Sequence, residues 1–126
     1  MGESIKLKTS DGHEAGAYRA QPNGTPRGAV IVIQEIFGVN AHIRALTDSF
    51  AAEGYLAIAP AIFDRAEKDV DIGYSQPDMQ KGMALRGKLT WDGVMADCAA
   101  AVDAVKSAGR IGIVGYCYGE IGRAHV

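Results

Sequence analysis

Two cysteines, three histidines and one tryptophan are the scarce residues of this 126-residue chain, and each scarcity excludes something. Cys98 and Cys117 are too few for a disulfide framework and suit a reducing, cytoplasmic setting. They lack Cys-x-x-Cys spacing, and His13, His42 and His125 are scattered, so neither a metal site nor a cofactor is expected. Charge of one sign is also missing. A formal net charge of -2 with 22% charged residues offers no basic surface for nucleic acid. No apolar run approaches the ~20 residues that a membrane span needs. The opening Met1-Gly2-Glu3-Ser4-Ile5-Lys6 lacks the charged-then-apolar order of a signal peptide, and Lys6 stands where a myristoylation motif wants Ser or Thr.

What is present is an alternation of strand and helix patterns. Ile5 to Thr9 alternates apolar and polar, Asp11-Gly12 signals a hairpin turn, and His13 to Ala20 reads as the returning strand. Pro22, Gly24 and Pro26 mark a loop. Ala29 to Ile33 is solidly apolar, as expected of a strand covered on both faces. Ile43, Leu46 and Phe50 form a helical stripe with Asn40 as N-cap and Gly54 as stop. Tyr55 to Ala59 is the next strand, closed by Pro60. Residues 61–77 read as an irregular excursion, and Asp78 to Leu85 as a short helix. Trp91, Val94, Met95, Cys98, Val102 and Val105 recur at helical spacing, predicting a helix over about 90–108, before a strand at Arg110 to Val114. This order predicts one α/β unit, with a mainly parallel sheet behind an antiparallel hairpin.

Gly115-Tyr116-Cys117-Tyr118-Gly119 follows that last strand. A Gly-x-nucleophile-x-Gly run after a buried strand is the signature of a nucleophile elbow. Gly115 and Gly119 would clear the tight turn, where a Cβ strikes backbone. Cys117 would then stand at the strand's C-terminal end, beside the N–H groups that open the next helix. A lone cysteine more often simply packs, and Cys98, on an apolar helix stripe, is read that way. The flanking glycines and the feeding strand set Cys117 apart.

Gln34-Glu35-Ile36-Phe37-Gly38 is the second constellation. A carboxylate just past a buried strand is costly unless paired or solvated, and alone Glu35 would be read as a strand-end residue facing water. Ligands of open α/β sheets bind beyond the carboxyl ends of the strands, which is where both Glu35 and Cys117 fall. An oxyanion hole in such a fold takes one N–H from the loop after the third strand and one from the residue after the nucleophile. On this sequence those would be the amides of Ile36 and Tyr118.

Gln-Glu-Ile-Phe-Gly-Val-Asn at 34–40, taken with Gly-Tyr-Cys-Tyr-Gly at 115–119, resembles the dienelactone hydrolase (carboxymethylenebutenolidase) family, and the resemblance runs from about Ile5 to Gly119. It implies an α/β-hydrolase fold and a Cys-Asp-His triad acting on a small-molecule ester or lactone. It also implies that Glu35 helps to generate the thiolate of Cys117. The triad Asp and His follow the nucleophile in this fold, and nothing suitable follows Cys117. His125 is too local, and Lys81 and Arg86 match no substrate-carboxylate position. Residues 120–126, Glu-Ile-Gly-Arg-Ala-His-Val, show no helical stripe and match one frame of a common sequencing adapter. The expectation is therefore residues 1–119 as the N-terminal part of one α/β-hydrolase domain, truncated after the elbow and inactive alone, with a non-native tail. Two other classes remain: a glutamine-amidotransferase-like cysteine enzyme, and a non-catalytic binding module on the same fold.

Overall fold

The computed structural model describes residues 2–115. Strand β1 (Glu3–Lys8) and strand β2 (Glu14–Ala20) form the expected hairpin, in register from Glu3–Arg19 to Lys8–Glu14. Gly12 turns it with a φ of 87°, a conformation that glycine adopts without a steric penalty. Strand β3 (Ala29–Ile33), strand β4 (Leu56–Pro60) and strand β5 (Ile111–Gly115) complete a sheet of order β1-β2-β4-β3-β5. β2 meets β4 antiparallel, whereas β4, β3 and β5 run parallel.

Helix α1 (Ala41–Ala52) covers one face of the sheet and helix α3 (Trp91–Val105) the other. This explains the unbroken apolar run of β3. Ala29, Ile31 and Ile33 pack in the cluster shared with α3, and Val30 and Val32 in the one shared with α1. Each such wholly buried branched side chain contributes about 1.5–3 kcal/mol relative to exposure. Asn40 caps α1 by accepting from the Ile43 N–H at 3.2 Å, and Thr90 caps α3 by accepting from the Gly93 N–H at 3.1 Å. Gly54, with a φ of 100°, ends the turn after α1.

The excursion after β4 is more ordered than its composition predicts. A short 3₁₀ helix occupies Ile62–Arg65, and helix α2 runs over Gln76–Arg86, two residues earlier than the pattern suggested. Ser75 is its N-cap, accepting from Asp78 N–H at 3.2 Å, and Pro77 fits the first turn because no helical bond is required of its nitrogen. Trp91 also departs from expectation. It sits at the head of α3, 44% exposed, rather than on the buried stripe. Asp97 takes the buried place instead, fully enclosed between Val94 and Ala101. No described helix is long and apolar enough to cross a membrane.

Candidate active site

The carboxyl ends of β3 and β5 lie side by side. Ile33 pairs with Gly115 in the parallel register, the last pair of the two strands among the described residues. Glu35 lies two positions past Ile33. Cys117 lies two positions past Gly115 and, with Tyr118 and Gly119, falls outside the described residues.

The loop after β3 is held from several sides. Gln34 is fully buried, an expensive place for an amide unless both ends are satisfied. Its Nε2 donates to the Glu35 carbonyl at 3.0 Å, and its Oε1 accepts a longer, 3.4 Å bond from Phe63 N–H. The Glu35 carbonyl accepts again from Gly38 N–H at 3.3 Å, which closes a tight turn. Gly38 has a φ of 82°, and a Cβ on it would lie 2.0 Å from the Val70 carbonyl oxygen, so no other residue fits. Ile72 N–H donates to the Phe37 carbonyl at 3.1 Å, stitching this turn to the segment before α2. The Phe37 and Tyr74 rings meet edge to face at 4.5 Å between centroids.

Helix α2 lies directly against the turn. A Cβ on Gly82 would come within 2.2 Å of the Ile36 carbonyl oxygen. Phe63, Val70 and Leu85 form a small core beneath, with Ile36 packed against it. Gly82→Ala is therefore expected to push α2 off the loop, at a cost of about 1–3 kcal/mol typical of overpacking. Urea denaturation of the full-length variant measures it. A variant as stable as its parent would show that the close approach carries no constraint.

Glu35 is half-buried, and among the described residues its carboxylate has no hydrogen-bond donor or cationic partner. The Ile36 N–H likewise meets no acceptor among the described residues. His42 is exposed on α1, and His13 is half-buried in the first hairpin. Neither lies in the loop that carries Glu35. Lys81 pairs with Glu67 at 2.9 Å. Cys98 is buried, and burial, with Asp97 adding to it, pushes its thiol up to about 11. That thiol is protonated and inert at neutral pH.

An ionic cluster that the sequence did not reveal lies nearer the hairpin. Arg65 Nε donates to both Asp97 oxygens at 3.1 Å, and its Nη2 donates to Asp97 Oδ1 at 2.9 Å. The same guanidinium reaches Asp11 in the hairpin turn, Nη1 to Oδ2 at 2.7 Å, and the Thr9 hydroxyl donates to Asp11. Hydrogen bonding from Arg65 holds the Asp11 carboxyl well below the usual carboxylate range. Burial outweighs the same guanidinium at Asp97 and raises its carboxyl above that range.

A mixed sheet with an antiparallel hairpin, flanked by helices and offering a carboxylate loop and a glycine-bounded strand end at one rim, is the first half of an α/β-hydrolase fold. The sequence profile of the dienelactone hydrolase family matches residues 15–122, and the chain belongs to that family. It is 31% identical over 123 residues to the carboxymethylenebutenolidase of Pseudomonas putida, covering 93% of this chain and 52% of the relative. A Klebsiella pneumoniae subsp. pneumoniae protein assigned as a dienelactone hydrolase has a similar solved structure, with a TM-score of 0.76 and 31% identity, covering 100% of this chain and 56% of that one. A dienelactone hydrolase-like promiscuous phosphotriesterase from metagenomic libraries shares the fold at a TM-score of 0.69 and 19% identity, over 98% of this chain and 52% of that one. The chain spans about half the length of the curated relatives it matches.

Proposed function

We propose that the full-length protein is a thiol-dependent hydrolase of small carboxylic esters or lactones, working in the reducing cytoplasm with Cys117 as nucleophile. The observation that carries this reading is the parallel pairing of Ile33 with Gly115. Glu35 and Cys117 each follow that pair by two residues, and parallel neighbours run ~4.8 Å apart. An unpartnered carboxylate at that rim suits a proton acceptor for a thiol, whose free pKa of about 8.5 must be lowered for attack near neutrality. The thiolate adds to the carbonyl carbon, and the amides of Ile36 and Tyr118 receive the charge that develops on oxygen. The C–O bond then breaks, an alkoxide or enolate leaves with a proton, and water cleaves the thioester to release the acid. The carboxylate and then the imidazole of a triad follow the nucleophile in this fold's chain order, and His125, eight residues past Cys117, is too local to serve. Because the chain spans about half the length of its relatives, we read residues 1–119 as the first part of one hydrolase domain and residues 120–126 as a non-native tail, and expect the 126-residue polypeptide alone to hydrolyse no ester.

Alkylation by iodoacetamide tests the reading. In the full-length protein, Cys117 reacts at pH 7 in step with loss of p-nitrophenyl acetate hydrolysis, while Cys98 stays unmodified because its thiol titrates at about 11. A Cys117 that reacts no faster than a free thiol, or turnover that survives its alkylation, contradicts the proposal. So does ester turnover by the 126-residue chain.

A further inference from the structure

The geometry points to Gln34 as the residue that aims the oxyanion donor, an inference that rests on the hydrolase reading above. A trans peptide is planar, with its C=O and N–H directed oppositely. The carbonyl of Glu35 and the N–H of Ile36 belong to one such unit, so whatever fixes the first fixes the second. Two donors fix it: Gln34 Nε2 at 3.0 Å and Gly38 N–H at 3.3 Å. Gln34 is itself immobilised, fully buried, with its Oε1 accepting from the Phe63 N–H. The Ile36 N–H, pointing the opposite way in the same plane, meets no acceptor among the described residues. A backbone donor left without a partner beside a carboxylate loop is poised for an external oxygen. A buried amide hydrogen-bonded at both ends is held rigidly, which makes Gln34 a stiff rest for that peptide.

Gln34 touches no reacting atom on this reading; it is a positioning residue for the Ile36 amide. Losing an oxyanion donor outright costs ~10²–10³ in rate, and misaiming one costs a part of that. The full-length Gln34→Met protein, of similar length but without the amide, is expected to lose about 10- to 100-fold in kcat for p-nitrophenyl acetate with KM little changed. Its Cys117 should be alkylated by iodoacetamide at the parental rate, because that reaction develops no oxyanion. Binding of a trifluoromethyl ketone, whose thiol adduct does need the donor, should weaken by the same factor as kcat. Gln34→Glu provides a second variant in case Gln34→Met does not fold. It keeps an acceptor for Phe63 and loses the donor to the Glu35 carbonyl, so the same loss is expected. Either variant, folded by thermal unfolding and with parental kcat, overturns the assignment. Parallel losses in alkylation rate and kcat also overturn it, since they show general damage to the site. Failure of the hydrolase reading itself is seen separately, in the unsubstituted protein, as hydrolysis that survives alkylation of Cys117.

Discussion

Cys117→Ala is expected to lower kcat for ester hydrolysis by at least ~10⁴-fold in the full-length protein, with little change in stability. Removing the nucleophile of a cooperating set costs nearly as much as removing the whole set, because the remaining groups have nothing to activate. What persists is the effect of the oxyanion donors and of binding alone. Cysteine to alanine removes only the sulfur, and the described sheet and helices contain no part of the substituted position. Stopped assays at micromolar enzyme concentration measure the residual rate. Retention of more than a hundredth of parental turnover would identify another nucleophile and remove Cys117 from the mechanism. The outcome also separates the two alternative classes: a binding module loses no activity because it has none, and an amidotransferase-like enzyme hydrolyses glutamine rather than esters.

Arg65→Met carries the largest expected effect on stability. Asp97 is fully enclosed in α3, and Arg65 is the cation that meets it. Deleting one member of a buried pair leaves a charge without compensation and costs about 3–5 kcal/mol. The pH dependence has a definite sign. Burial already holds the Asp97 carboxyl above its ordinary value, and losing the guanidinium raises it further. A carboxyl with a higher pKa folded than unfolded takes up a proton on folding. The variant is therefore most stable below the unfolded value of about 3.9 and loses stability as pH rises through the folded value. Asp11 acts in the opposite sense in the parent. Its carboxyl is held low by Arg65, so its contribution is present above the unfolded value and lost on acidification. The variant no longer has that term. Urea midpoints for Arg65→Met should thus be higher at pH 5 than at pH 7.5. A loss below ~1 kcal/mol, or an unchanged pH profile, would show that the carboxylate finds another partner or water.

Much of this architecture is legible in residue order because local and global preferences agree. The apolar run of β3, the Asn40 cap and the Asp11-Gly12 turn each specify in sequence what the packing then uses. The excursion after β4 was harder to read. Its order comes from contacts between residues distant in sequence: Phe63 with Gln34, Ile72 with Phe37, Gly82 with Ile36. None of these leaves a period in the sequence. The helix start at Ser75 and Pro77 was missed among the polar residues around it. Asp97 was hidden for a different reason. An acid on an apolar stripe reads as an interruption until its cation, 32 residues earlier, is known. Of the candidate site, Glu35 and the glycine-bounded strand end were visible as motifs. The part played by Gln34 was not, because it resides in one peptide plane rather than in a pattern.

The clasp between Arg65 and Asp11 also bears on how the protein tolerates insertion. The tips of surface hairpins are ordinarily where a chain accepts a spliced peptide or new ends, because little else touches them. Here the tip of the first hairpin is docked through one guanidinium onto a helix encoded more than eighty residues later. Lengthening the tip would take from that guanidinium its contacts with Asp11. Epitope tags and permuted ends are better placed in the loop between β2 and β3, around Asn23 and Gly24, where a side chain built on Gly24 meets nothing within 4 Å.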